Sequence, residues 1–257
     1  MTDEVRPIVL AGDWHGDVGR GLDAIRTAAE NGARTIVHVG DLGVDFPGPK
    51  RGRFEARLGR LLVEKNVRLI LSPGNHDNWS TLLKLPVGHD GLAVWRSNIL
   101  ILPRGGRTVV EGLTIGGLGG AYSVDQQWRT EGKDWWAEEE PTQEEAAKLV
   151  AGGPVDVLVT HDVPWGVPMK GDFNLPPEIE ARANETRFLL RSVVDQLQPR
   201  LIFSGHWHQR KIAGLTSGGS GTTTTVHVLA DENSRAGNAV LLWPATLRVE
   251  PLIISGS

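Results

Sequence analysis

Residues 12–17, Gly-Asp-Trp-His-Gly-Asp, place two carboxylates and an imidazole directly after the apolar run 7–11. On extended chain Asp13 and His15 would project to one side and could grip one metal ion. Taken alone, the stretch also reads as a turn that happens to carry a histidine. Four more polar clusters of the same kind follow apolar runs. They are Asp41 in Val-Gly-Asp-Leu, Asn75-His76-Asp77 after Pro-Gly, His161 in Val-Thr-His-Asp, and His206 with His208 in Ser-Gly-His-Trp-His. Five of the eight histidines fall in these clusters, which makes independent coincidence a poor account of them. Imidazole, carboxylate and amide oxygen together suit divalent first-row metals such as manganese, iron, nickel or zinc.

The elements that must position these residues follow from periodicity. Residues 7–12, 34–41, 155–162 and 200–208 carry apolar, β-branched-rich runs that predict strands, and 67–77 predicts a strand running into a loop. Between them, Val18, Leu22, Ile25 and Ala29 share one helical face, with Gly32 placed to end the helix. Phe54, Leu58, Leu61 and Leu62 mark a second helix, and 178–198 a long third one after Pro176-Pro177. Thr142 and Glu145 form a capping box ahead of a short helix. Closely spaced extended segments occupy 92–120, with Glu111-Gly112 as a hairpin turn, and three more fill the tail from 226 to 251. Residues 217–225, Ser-Gly-Gly-Ser-Gly-Thr-Thr-Thr-Thr, read as a mobile hairpin loop. This alternation predicts an α/β fold whose strand ends converge on one edge. No linker divides the chain, so a single domain over 1–257 is expected.

Asp-x-His, Gly-Asp, Gly-Asn-His-Asp, His and Gly-His-x-His, in that order from Asp13 to His208, closely resemble the calcineurin-like metallophosphoesterase family. The resemblance implies two mixed β-sheets in a sandwich flanked by helices, with a dinuclear centre at the strand ends. By the same resemblance Asp13, His15 and His208 hold one divalent ion, Asn75, His161 and His206 hold the second, and Asp41 bridges them. A water shared by the two ions, deprotonated near neutral pH, would attack phosphorus in line. His76 would protonate or stabilise the leaving oxygen. Asp77 would either orient His76 or cap its own loop. Using neutral Asn75 in place of a third carboxylate leaves the loaded centre at about +1, which suits a phosphate.

Composition narrows the function. The net charge is −4 and there is no basic stripe, so nucleic acid is a possible partner but not the favoured one. There are no cysteines, which excludes disulfides and thiolate chemistry. No run reaches the roughly 18 apolar residues of a membrane span, and residues 1–13 do not read as a signal peptide. A cytoplasmic location is therefore expected. Protein serine/threonine phosphatases of this family carry Asp-Arg in the second block and Gly-Asn-His-Glu in the third. Here the blocks read Gly-Asp-Leu-Gly and Gly-Asn-His-Asp. The expected substrate is therefore a small phosphoester, foremost a nucleotide-like phosphodiester; a phosphomonoesterase, a nuclease and a non-enzymatic scaffold are the alternatives. Trp14 and Trp207, inside the motifs, are expected in the core. Trp79 and Trp165 either stack a nucleobase or pack on their own loops. Arg129, within 122–141, either clamps a phosphate or makes a surface ion pair, the latter being favoured.

Overall fold

Ile8, Val9, Leu10 and Ala11 form the first strand, β1 (Ile8–Ala11), and none of them is exposed. Side chains alternate between the faces of a strand, so an unbroken apolar run requires cover on both sides. The computed structural model, which describes residues 5–171 and 174–254, supplies that cover. Ile8 and Leu10 pack with Val159, Phe203 and Leu242, whereas Val9 and Ala11 pack with Ala24, Ile25 and Leu58.

After β1 come α1 (Val18–Glu30), β2 (Thr35–His38), α2 (Arg53–Lys65), β3 (Arg68–Leu71), the single turn α3 (Trp79–Leu82), β4 (Ala93–Arg96) and β5 (Ile99–Ile101). Then follow β6 (Gly106–Val110), β7 (Leu113–Leu118), α4 (Gln143–Ala151), β8 (Val157–Thr160) and α5 (Pro177–Leu197). The last strands are β9 (Leu201–Ser204), β10 (Lys211–Thr216), β11 (Thr223–Val228), β12 (Ala239–Trp243) and β13 (Arg248–Pro251). They build a seven-stranded sheet, β13-β12-β1-β2-β3-β5-β4, and a six-stranded sheet, β10-β11-β9-β8-β7-β6. Both are mixed. The inner strands β1, β2, β3 and β5 run parallel, as do β7, β8, β9 and β11, while the flanking strands are antiparallel. One apolar cluster lies between the sheets. Helices α1 and α2 cover the outer face of the first sheet, and α4 and α5 that of the second. The expected α/β sandwich is therefore found.

Asp17 caps α1 by accepting the Arg20 N–H at 2.8 Å. Two local signals act as read. Thr142 and Glu145 complete the capping box of α4. Glu111 and Gly112 join β6 to β7 with φ of 48° and 80°, the positive values a two-residue hairpin turn needs. The expected loop over 217–225 is shorter: Thr223–Thr225 belong to β11, paired with β9 and β10, so the loop is 217–222. β10 was not legible because it is an edge strand whose Ile212 is exposed, so apolar residues do not mark one covered face, and a glycine sits at its centre. Among the described residues no helix is long and apolar enough to cross a membrane.

Candidate metal centre

The parallel strands of both sheets deliver their carboxyl ends to a common edge. Asp13 follows β1, Asp41 follows β2, Asn75 follows β3, His161 follows β8, and His206 and His208 follow β9. Extended chain is not what aligns Asp13 with His15. β1 stops at Ala11, and Asp13, His15, Asp41, His206 and His208 all adopt left-handed backbone, with φ between 43° and 66°. L-residues pay about 1–2 kcal/mol for that conformation. It persists where surroundings over-determine it, typically at functional sites. Here the post-strand loops are zipped together: the N–H groups of Asp13, His15 and Gly16 donate to the carbonyls of Gly40, Asp41 and Leu42 at 2.9–3.0 Å. Trp14 is turned into the core by the same geometry, its ring edge against His38 at 4.6 Å.

Asp41 occupies the middle. Its Oδ1 accepts the His76 backbone N–H at 2.8 Å. Its Oδ2 lies 3.2 Å from His161 Nε2, 3.4 Å from His15 Nε2 and 3.9 Å from His76 Nε2. Asp13 is fully buried; its Oδ1 accepts the His206 N–H at 2.9 Å, while Oδ2 has no partner. Ligand atoms of three sets lie within 4.8 Å of one another: Asp13 with His15 and His208, Asp41 with His161 and His206, and His15 with Asp41 and His76.

The ring nitrogens are oriented from outside. His15 Nδ1 donates to Glu232 Oε2 at 2.8 Å and His161 Nδ1 to the Val39 carbonyl at 2.9 Å, so both present Nε2 to the centre. Glu232 is itself fixed, its N–H donating to the Asp13 carbonyl and its own carbonyl accepting from Arg20. Burial pushes the Asp13 carboxyl up to about 7. Burial alone would raise Asp41 as well, but the imidazoles of His161, His76 and His15 hold it well below the usual carboxylate range. Burial also keeps His206 neutral, with its pKa far below the ordinary value. A buried carboxylate with one unpartnered oxygen, grouped with inward-pointing imidazole nitrogens, is a donor set that fits divalent cations.

Close packing behind the carboxylates gives a test. A Cβ at Gly205 would lie 2.1 Å from Asp13 Oδ2, and Asp13 is pinned by the His206 N–H. Gly205→Ala should cost about 1–3 kcal/mol of stability by overpacking, and it should weaken metal binding roughly tenfold or more by displacing the carboxylate. Thermal unfolding together with chelator competition checks both. Unchanged metal affinity would show that Asp13 is not a ligand.

Asn75, only 2% exposed, sets Oδ1 at 3.0 Å from His161 Nε2. Asp77 does not reach the His76 ring through any hydrogen bond. Its carboxylate accepts the N–H groups of Gly43, Val44 and Gly74 at 2.8–2.9 Å, the loop-capping arrangement of the two that the sequence left open. Arg129 departs from the favoured surface role. It does pair with Asp125 at 2.9 Å, but its side chain is 13% exposed and its Nη atoms lie 3.1 and 3.0 Å from the two His76 ring nitrogens. Trp79 is buried, its indole N–H on the Gly74 carbonyl and the Arg104 guanidinium 3.9 Å from its ring centre, so it has no free face for a base. Trp165 packs on Phe188. Trp207 is part-buried, its indole N–H on Asp162. A cleft of about 630 Å³ opens from His15 and His76 along Phe46, Pro47, Lys50 and Phe54.

The sequence reading missed Glu232, Ser123 and Glu139. Only the acidic character of 231–232 after an apolar run hinted at the first.

Residues 6–210 match the model of the calcineurin-like phosphoesterase family. No curated protein matches significantly. Among solved structures, TT1561 of Thermus thermophilus superposes with a TM-score of 0.57 at 19% identity, over 98% of this chain and 100% of that one. A dimetal phosphatase from Danio rerio gives 0.54 at 13% identity, over 98% and 100%. GAP50, the anchor in the inner membrane complex of Plasmodium, gives 0.50 at 12% identity, over 98% and 90%. At these identities the likeness is one of fold.

Proposed function

The chain belongs to the calcineurin-like phosphoesterase family, and from that premise we propose that it is a dinuclear phosphodiesterase acting on small nucleotide-like esters. The observation that carries the reading is Asp41 Oδ2, set among three imidazoles with the unpartnered Asp13 oxygen nearby. Asp13, His15 and His208 would hold one ion and Asn75, His161 and His206 the other, with Asp41 placed to serve both. Divalent ions, manganese first among them, supply Lewis acidity there, lowering the pKa of water and neutralising charge on phosphoryl oxygens.

The chain's own residues do the rest. Glu232 and the Val39 carbonyl keep His15 and His161 in the tautomers that face inward. His76, at the boundary between centre and cleft, delivers or shares a proton at the leaving oxygen. Arg129 holds the His76 ring and adds a guanidinium beside the reacting phosphate.

A diester carries one negative charge and two organic groups. One group departs past His76, and the cleft receives the other. The cleft's volume falls within the range of small-molecule sites. Phe46, 40% exposed, offers a flat apolar surface in place of Trp79, and Lys50, which makes no ion pair among the described residues, offers a charge. The test is kcat/KM for bis-nitrophenyl phosphate, a cyclic nucleotide, nitrophenyl phosphate and a phosphopeptide, each with manganese, nickel and zinc at matched salt. The diesters should be turned over best. A clear preference for either monoester would overturn the diesterase assignment. Turnover of none, in metal-loaded protein, would favour a scaffold.

A further inference from the structure

An asparagine is an ambiguous metal ligand. Its oxygen coordinates cations and its NH2 repels them, yet the two ends have nearly the same shape. Something must decide which end of Asn75 faces the centre. Asn75 Nδ2 donates to Ser123 Oγ at 3.0 Å. Ser123 in turn gives both of its hydrogens to one carboxylate: the backbone N–H to Glu139 Oε1 and the hydroxyl to Glu139 Oε2, each at 2.7 Å. All three residues are no more than 2% exposed, so water does not offer alternatives.

Burial pushes the Glu139 carboxyl up to about 7, and above that pH, with the carboxylate ionised, the direction of this chain is forced. An ionised carboxylate only accepts. With its hydrogen spent on Glu139, the Ser123 hydroxyl can only accept from Asn75. Asn75 must therefore turn its NH2 outward and its oxygen inward. A flipped amide would set its oxygen against a hydroxyl with no hydrogen to give, leaving buried polar groups unmade at about 1–3 kcal/mol each. Register is held by the backbone, since the Gly120 N–H donates to the Pro73 carbonyl at 2.7 Å and ties the segment before Ser123 to the loop that carries Asn75.

We propose that Ser123 and Glu139 are positioning residues that fix the Asn75 amide with its oxygen toward the metal centre. The proposal rests on Asn75 being a metal ligand. It gives the 122–141 segment a role in metal affinity that is separate from contact with substrate.

The experiment measures manganese affinity by chelator competition, with thermal unfolding as a check on folding. Asn75→Ala tests the ligand reading and should lose one of two ions. Ser123→Ala and Glu139→Gln should each weaken one ion about 10–100-fold, as is usual when a ligand's partner is removed. Glu139→Gln keeps size while giving Ser123 a donor to accept from, which frees the hydroxyl hydrogen and reverses the chain. The discriminating comparison is Ser123→Ala in an Asn75→Asp background, where either end of the side chain presents oxygen. There the loss should shrink to less than about threefold, a coupling that independent sites would not show. Equal losses in both backgrounds, or none in either, would overturn the relay while leaving Asn75 as a ligand. Two tight ions in Asn75→Ala would overturn the ligand reading, and the relay with it.

Discussion

Asp41→Asn is expected to lower kcat/KM for every phosphoester the protein turns over by about 10³-fold or more, a loss of several kcal/mol of transition-state stabilisation. The protein should stay folded and retain at most one tightly bound ion. The geometry shows why so small a change matters. Asp41 Oδ1 is already committed to the His76 N–H, so an asparagine keeps its oxygen there and turns its NH2 to the position of Oδ2. That position lies within 3.4 Å of His15 Nε2 and His161 Nε2, where a donor opposes cations and nothing can bridge them. Elemental analysis of metal-saturated protein, with a manganese titration of the variant, is the measurement. Two tight ions and undiminished turnover in Asp41→Asn would sink the dinuclear centre.

The residues that were legible are those whose chemistry and neighbours in sequence point the same way. Unbroken apolar runs such as Ile8–Ala11 and 157–159, short and β-branched, read as strands covered on both faces. A polar residue at each carboxyl end then had to lie at the same edge. The reason given for Asp13 and His15 was nevertheless wrong, because left-handed backbone rather than extended chain turns both inward. Periodicity carries no signal for that conformation outside glycine. The candidate ligand types were readable and the backbone that presents them was not.

What stayed hidden came from polar loops. Glu232, Ser123 and Glu139 have the composition of solvated surface, and no spacing rule connects 122–141 to residue 75. Burial is what distinguishes them: Glu139 is 2% exposed and takes two hydrogens from Ser123. Trp79 shows the same limit from the other side. Its place just after a candidate ligand loop left open either a free face or packing on that loop; the Gly74 carbonyl takes its indole N–H, and the Arg104 guanidinium, from a distant segment, covers the ring. Local sequence reports which groups are present, and tertiary contacts decide which faces remain free.

His76→Ala is expected to slow turnover of esters with poor leaving groups by about 10²–10⁴-fold, the range of a lost proton-transfer catalyst. Metal content should be unchanged, because Asn75 and the His76 backbone N–H that holds Asp41 survive the substitution. For nitrophenyl esters, whose leaving group needs little protonation, the loss should shrink to about tenfold or less. The competing role is that of a ligand, since His76 Nε2 lies 3.9 Å from Asp41 Oδ2 and groups with it and His15. Arg129 weighs against that role. A guanidinium within 3.1 Å of both ring nitrogens repels a further cation and engages the lone pair that an ion would need. Turnover of a nitrophenyl and an alkyl diester, with metal content measured on the same preparations, separates the two. Loss of an ion from His76→Ala would make His76 a ligand, and an equal loss of rate on both diesters would remove it as the proton donor.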